Sequence, residues 1–181
     1  MRILKLALCD SLDGIVEVIK EEGSIVTGKW IEAEACYSGA HVPADAFKTE
    51  FAVDLTDDEV YSYEFDEMDE AEANERRAES IKIAEYKDEF YFGGEKEIAE
   101  ILKYFETIGI VGDNIPAEMV SGPTDYDIFC HIPYCGQVYH VSCYTHRRGG
   151  SEAKEEYAKQ LARRVFQSVL YETKCPWKDV A

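Results

Sequence analysis

Hydrophobic and polar residues alternate most regularly between positions 47 and 65. Phe47, Thr49, Phe51, Val53 and Leu55 fall on one face of an extended chain, with Lys48, Glu50, Ala52 and Asp54 on the other. After the turn residues Thr56, Asp57 and Asp58, the residues Tyr61, Tyr63 and Phe65 alternate against Val60, Ser62 and Glu64. A period of two marks a strand with one face buried. Two such runs joined by a short polar turn predict a β-hairpin.

The remaining pattern is mixed. Residues 2–9 read as a buried strand and 25–35 as another, weakened by Gly28. Between them Leu12, Ile15, Val16 and Ile19 recur at helical spacing behind Ser11, which favours a helix over 11–22. Gly14 and the β-branched content leave a strand open. Residues 37–46 predict a loop. Residues 66–80 are strong helix formers without an apolar stripe: Glu72 and Arg76 support a helix, while Glu75 and Glu79 oppose it. Such a helix lies in solvent, is held by a partner or is only partly formed. Residues 81–86 and 90–92 then read as short strands around Lys87, Asp88 and Glu89.

The strongest helix is 95–108, where Ile98, Ile101, Leu102, Phe105 and Ile108 make one stripe, acids fill the first turn and Gly109 follows. Residues 111–125 are punctuated by Gly and Pro and form the candidate hinge of an otherwise single domain, 1–181. Two strands are expected at 126–133 and 137–145 around Pro133-Tyr134-Cys135-Gly136. A final helix at 151–172 stacks Tyr157, Leu161, Val165 and Val169. The sum is an α+β fold: a mostly antiparallel sheet built from hairpins, with two amphipathic helices at about 95–108 and 151–172.

Charge changes this picture. The chain of 181 residues has a formal net charge of −18. Residues 1–125 carry 11 Lys and Arg against 31 Asp and Glu, while 126–181 carry 8 against 6. From Asp54 to Glu75 there are 11 carboxylates and no base. A field of this sign repels nucleic acid and anionic membranes and steers cationic surfaces toward the protein. The expectation is a small acidic binding protein, an inhibitor of the immunity or anti-defence type. Its partner would be basic, such as a nuclease or another nucleic-acid-binding protein whose natural ligand it mimics in charge. The candidate contacts are Asp57, Asp58, Glu59, Tyr61, Tyr63, Asp66, Glu67, Asp69, Glu70 and Glu72. The plain alternative is a solvated charge run that keeps the protein soluble. No apolar stretch approaches the roughly 18 residues of a membrane span. Six scattered cysteines without an export signal predict free thiols and a cytoplasmic setting. Nothing speaks to oligomeric state.

Candidate chemistry concentrates in CHIPYCGQVYHVSCYTH, residues 130–146. A turn centred on Tyr134-Cys135 pairs Ile132 with Gln137, Cys130 with Tyr139 and Ile128 with Val141. That register turns Cys130 and Cys143 toward the core and His131 and His140 to the opposite face. A tetrahedral zinc site needs four converging ligands, so no metal and no cofactor are expected. A one-residue slip would bring thiols and imidazoles together. The alternative function is therefore a Cys/His enzyme or metal-binding protein, with His140, Cys143 and His131 as its catalytic candidates. His140-Val141-Ser142-Cys143 matches the short motif of the two-histidine phosphoesterases. That family needs a second copy, and His131-Ile132-Pro133 and His41-Val42-Pro43 carry proline where the hydroxyl belongs. Arg147, Arg148 and Ser151 could hold an anion ahead of the last helix, against simple N-capping by Ser151.

Overall fold

A computed structural model of the chain describes residues 1–9, 11–37, 40–145 and 155–178. The chain forms two compact units, Met1–Tyr91 and Phe92–Ala181. The fold is α+β, with an antiparallel five-stranded sheet in the first unit and a three-stranded one in the second. The division falls at Tyr91–Phe92, and residues 111–125, expected as a hinge, lie inside the second unit.

In the first unit β1 (Arg2–Leu8), β2 (Leu12–Glu22) and β3 (Ile25–Ala35) form an antiparallel meander. The segment expected as a helix at 11–22 is therefore a strand. Its adjacent apolar residues mimic a helical stripe because the sheet is covered on both faces. Val16 packs with Leu6 and Trp30 on one side, and Ile15 with Ile3, Ile31, Met68 and Ala73 on the other.

The two alternating runs do form strands, β4 (Phe51–Asp54) and β5 (Val60–Glu64), but they do not make a hairpin. β4 pairs with β3 and β5 with β1, so the sheet order is β4-β3-β2-β1-β5. A period of two specifies faces and leaves the choice of neighbour to the rest of the fold. The order also requires curvature. A flat sheet would set β4 and β5 about 19 Å apart, four strand spacings. The link between them is folded into consecutive turns, with the Asp57 N–H donating to the Asp54 carbonyl at 3.2 Å and the Val60 N–H to that of Asp57 at 3.0 Å. So short a connection joins the two edges only if the sheet curls.

Residues 70–92 form one helix, α1 (Glu70–Phe92), including the stretches 81–86 and 90–92 that were expected as strands. Its polar surface is tied to the sheet by charged side chains. Arg76 bridges Glu72 of its own helix, at 2.6 Å, and Glu32 of β3, at 3.0 Å. Arg77 donates to the Trp30 carbonyl and pairs with Glu17 of β2. Ala73, Ala84 and Tyr86 supply its buried contacts. A helix without an apolar stripe is stable here because ion pairs and small residues anchor it.

The second unit runs α2 (Glu95–Thr107), β6 (Val120–Pro123), β7 (Asp127–Tyr134), β8 (Gln137–Tyr144) and α3 (Tyr157–Lys174). Its sheet has the order β6-β7-β8. Ile101 and Phe105 of α2, Leu161, Val165 and Leu170 of α3, and Cys130, Ile132, Tyr139, Val141 and Cys143 of the sheet form its buried interior. The last helix starts at Tyr157, behind the extended Glu156, and the Tyr157 N–H donates to Asp113 at 3.0 Å; residues 155 and 156, expected as helix, precede it. The expected start at 151 lies outside the described residues.

Candidate functional site

The Cys/His hairpin has a two-residue turn. Tyr134 pairs with Gln137, Ile132 with Tyr139, Cys130 with Val141 and Ile128 with Cys143. The turn residues Cys135 (φ 48°) and Gly136 (φ 79°) both take the left-handed conformation, the geometry that suits a tight hairpin between twisted strands. The register therefore differs by two residues from the expected one, and a shift of two leaves every side chain on its predicted face. Cys130 and Cys143 are buried. His131 and His140 sit directly opposite each other on the other face, and His131 Nε2 contacts the Glu118 carbonyl oxygen at 2.6 Å. The structure does not bring Cys143 to either imidazole, and no group of three metal-ligating side chains occurs among the described residues. Arg147, Arg148 and Ser151 lie outside the described residues.

Burial pushes the Cys143 thiol up to about 12, with smaller contributions from Cys130 and Asp127; burial also raises the Cys130 thiol. Neither is poised as a thiolate nucleophile. The raised value has a thermodynamic consequence. A thiol kept neutral when folded, but ionising near 9.0 when unfolded, stabilises the fold below pH 9. That contribution is lost as pH rises toward 12. The urea midpoint is expected to fall above pH 9 more steeply for the native protein than for Cys143→Ala. Equal slopes in the two proteins would contradict this account.

The acidic segment occupies the loop after β4, all of β5, the approach to α1 and its first turns. Part of it is structural. Asp54 accepts from the Thr56 N–H and hydroxyl, which lowers its pKa. Asp57 accepts from the Glu59 N–H, and Asp69 caps α1 by accepting from the Glu72 N–H at 2.9 Å. Glu72 is held by Arg76. Asp58, Glu59, Asp66, Glu67 and Glu70 are exposed, as are Tyr61 at 64% and Tyr63 at 59%. β5 ends the sheet order, and among the described residues no strand pairs with its outer edge.

The strand registers place further residues beside this edge that the linear pattern does not show. Residues directly opposite in neighbouring strands share a face. Tyr63 of β5 therefore stands in line with Lys5, Ile15 and Glu32, and Tyr61 with Ala7, Asp13 and Glu34. Lys5, Asp13, Glu32 and Glu34 form the sheet side of a cleft of about 530 Å³, whose other wall includes Arg76 and Glu79 of α1. The far end of α1 is fixed to the loop before β4. Asp88 accepts from the Ala44 N–H at 2.9 Å and contacts His41 Nε2 at 2.7 Å, while the His41 ring stacks on Tyr91. His41 thus serves as a clip between loop and helix.

No helix among the described residues is long and apolar enough to cross a membrane. Comparison of the chain with protein-family models, curated proteins and solved structures found no match.

Proposed function

We propose that the first unit is a docking surface for a basic protein, acting through the open edge of β5 and the carboxylates on either side of it. The observation that carries this reading is the state of that strand. It ends the sheet, it holds Tyr61 and Tyr63 exposed on one face, and it lies within a run of 11 carboxylates with no base. An open edge offers a row of backbone donors and acceptors to an extended segment. Tyrosines supply contact area at little entropic cost, and the field selects for positive charge and speeds encounter. In its finer form the reading is an inhibitor of the immunity or anti-defence kind. Its carboxylates would stand where the phosphates of a nucleic acid bind the partner, for example a nuclease.

A fluorescently labelled, extended peptide rich in arginine is the direct probe. Its affinity is expected to fall steeply from low salt to about 1 M, where the screening length is about 3 Å. Neutralising the turn before β5, as D57N/D58N/E59Q, is expected to weaken binding about tenfold, each rim charge contributing about 0.5 kcal/mol. Binding that ignores both salt and the triple substitution would sink the proposal.

A further inference from the structure

We infer that the row Tyr61–Ala7–Asp13–Glu34 is a slot for a single arginine side chain of the partner, resting on the reading of this unit as a dock for a basic protein. The four residues are consecutive cross-strand partners over β5, β1, β2 and β3. They project from one face of the sheet in that order. The second position is alanine, so between the tyrosine ring and the two carboxylates only a methyl group rises from the sheet. Neighbouring strands are about 4.8 Å apart, which separates the backbones of Tyr61 and Asp13 by roughly 10 Å. A planar cation lying over Ala7 fits this gap, with one face on the ring and its edge toward the carboxylates.

The charges on either side favour that occupant. In the adjacent row Glu32 is already held by Arg76, and Lys5 stands over β1. Asp13 and Glu34 are exposed and have no ion-pair partner among the described residues. Both line the cleft beside α1. Guanidinium suits the slot better than ammonium. It is flat, stacks on an aromatic face, and donates two parallel hydrogen bonds to a carboxylate. A partner segment running along the outer edge of β5 would present alternate side chains to this face, so one arginine enters the slot while its neighbours meet the acidic rim.

The test compares arginine, lysine and citrulline at one position of an otherwise constant basic, extended peptide, by anisotropy at fixed salt. The expected order is arginine tightest, then lysine, then citrulline, with about tenfold between the first and the last. Ala7→Leu fills the slot without altering charge. It is expected to abolish the preference for arginine while leaving the salt dependence in place. D13N/E34Q, two exposed substitutions that leave the core untouched, should reduce arginine binding to the citrulline level and guards against misfolding of the Ala7 variant. If both variants keep the native preference for arginine while D57N/D58N/E59Q still weakens binding, the slot is wrong and the acidic dock stands. If no basic peptide binds the native protein at any salt, both fall together.

Discussion

Replacing Gly14 with alanine is expected to destabilise the first unit by at least about 3 kcal/mol, at the upper end of what overpacking costs. Gly14 lies in β2 between β1 and β3, opposite Leu6 and Ala33. A Cβ there would stand 2.1 Å from the Glu32 carbonyl oxygen and 2.8 Å from the Ala33 Cα. Both obstacles are backbone atoms of β3. No rotamer change can relieve them, so β2 and β3 must separate and lose part of their ladder. In a unit of this size each kcal/mol shifts the melting temperature by about 4–8 °C, so the fall should exceed roughly 10 °C. Gly23→Ala is the control. Gly23 has φ +66° with nothing within 4 Å of the added carbon, so only the left-handed backbone penalty of about 1 kcal/mol is expected. Thermal scans of the two variants that superimpose would show that the close strand approach at Gly14 has been misjudged.

The second large effect is expected at Gly94, which precedes α2. Its φ is +78°, and an added Cβ would lie 2.3–2.6 Å from three ring atoms of Phe166 on α3. Two costs therefore combine: about 1 kcal/mol for a side chain in the left-handed region and about 1–3 kcal/mol for forcing a buried ring aside. Phe166 is almost fully buried and has little room to yield. A double-mutant cycle separates the terms. Gly94→Ala should cost about 2–4 kcal/mol with Phe166 present and only about 1 kcal/mol in the Phe166→Leu background, the sum of the two penalties against the backbone penalty alone. An identical cost in both backgrounds would show that the ring does not set the limit.

Much of this fold is legible from periodicity, and the parts that are not share a cause. β7, β8, α2 and α3 follow from apolar spacing because each buries one regular face or stripe, and β1 and β3 from their short apolar-rich runs, which are buried on both faces. β2 and α1 depart from expectation for opposite reasons. β2 is covered on both faces, so Ile15 and Val16 are both apolar and imitate a helix. α1 is fastened by Arg76, Arg77 and Asp88, whose partners Glu32, Glu17 and Ala44 are remote in sequence. The 51–54 and 60–64 strands were visible, but their neighbours were not, because alternation carries no information about pairing. The hairpin turn shows the same limit in small. Cys135 and Gly136 together accept positive φ, which moves the register by two and leaves the faces intact.

The candidate site divides along the same line. Its acidic residues and tyrosines could be named from composition and exposure patterns. Ala7, Asp13 and Glu34 could not, because they join Tyr61 only through three strand registers in succession. Ala7 is also a residue type that carries no chemical signal. Its contribution is the space above it.

The order of the five-stranded sheet has a consequence for how it assembles. β1 to β4 are joined by neighbouring pairings, but β1 must wait for β5, since Leu4 meets Glu64 and Leu8 meets Val60. Pairings between distant segments carry a larger loop-closure cost and tend to form late. β5 therefore joins late and, like β4 at the other edge, is held on one side only, with Arg2 clasping Glu64 as a side-chain latch. Transient loosening of such a strand costs less than global unfolding, and its amide protons are expected to exchange before those of β2. A segment bound along the outer edge would give β5 a second neighbour, converting an edge strand of the sheet into an interior one.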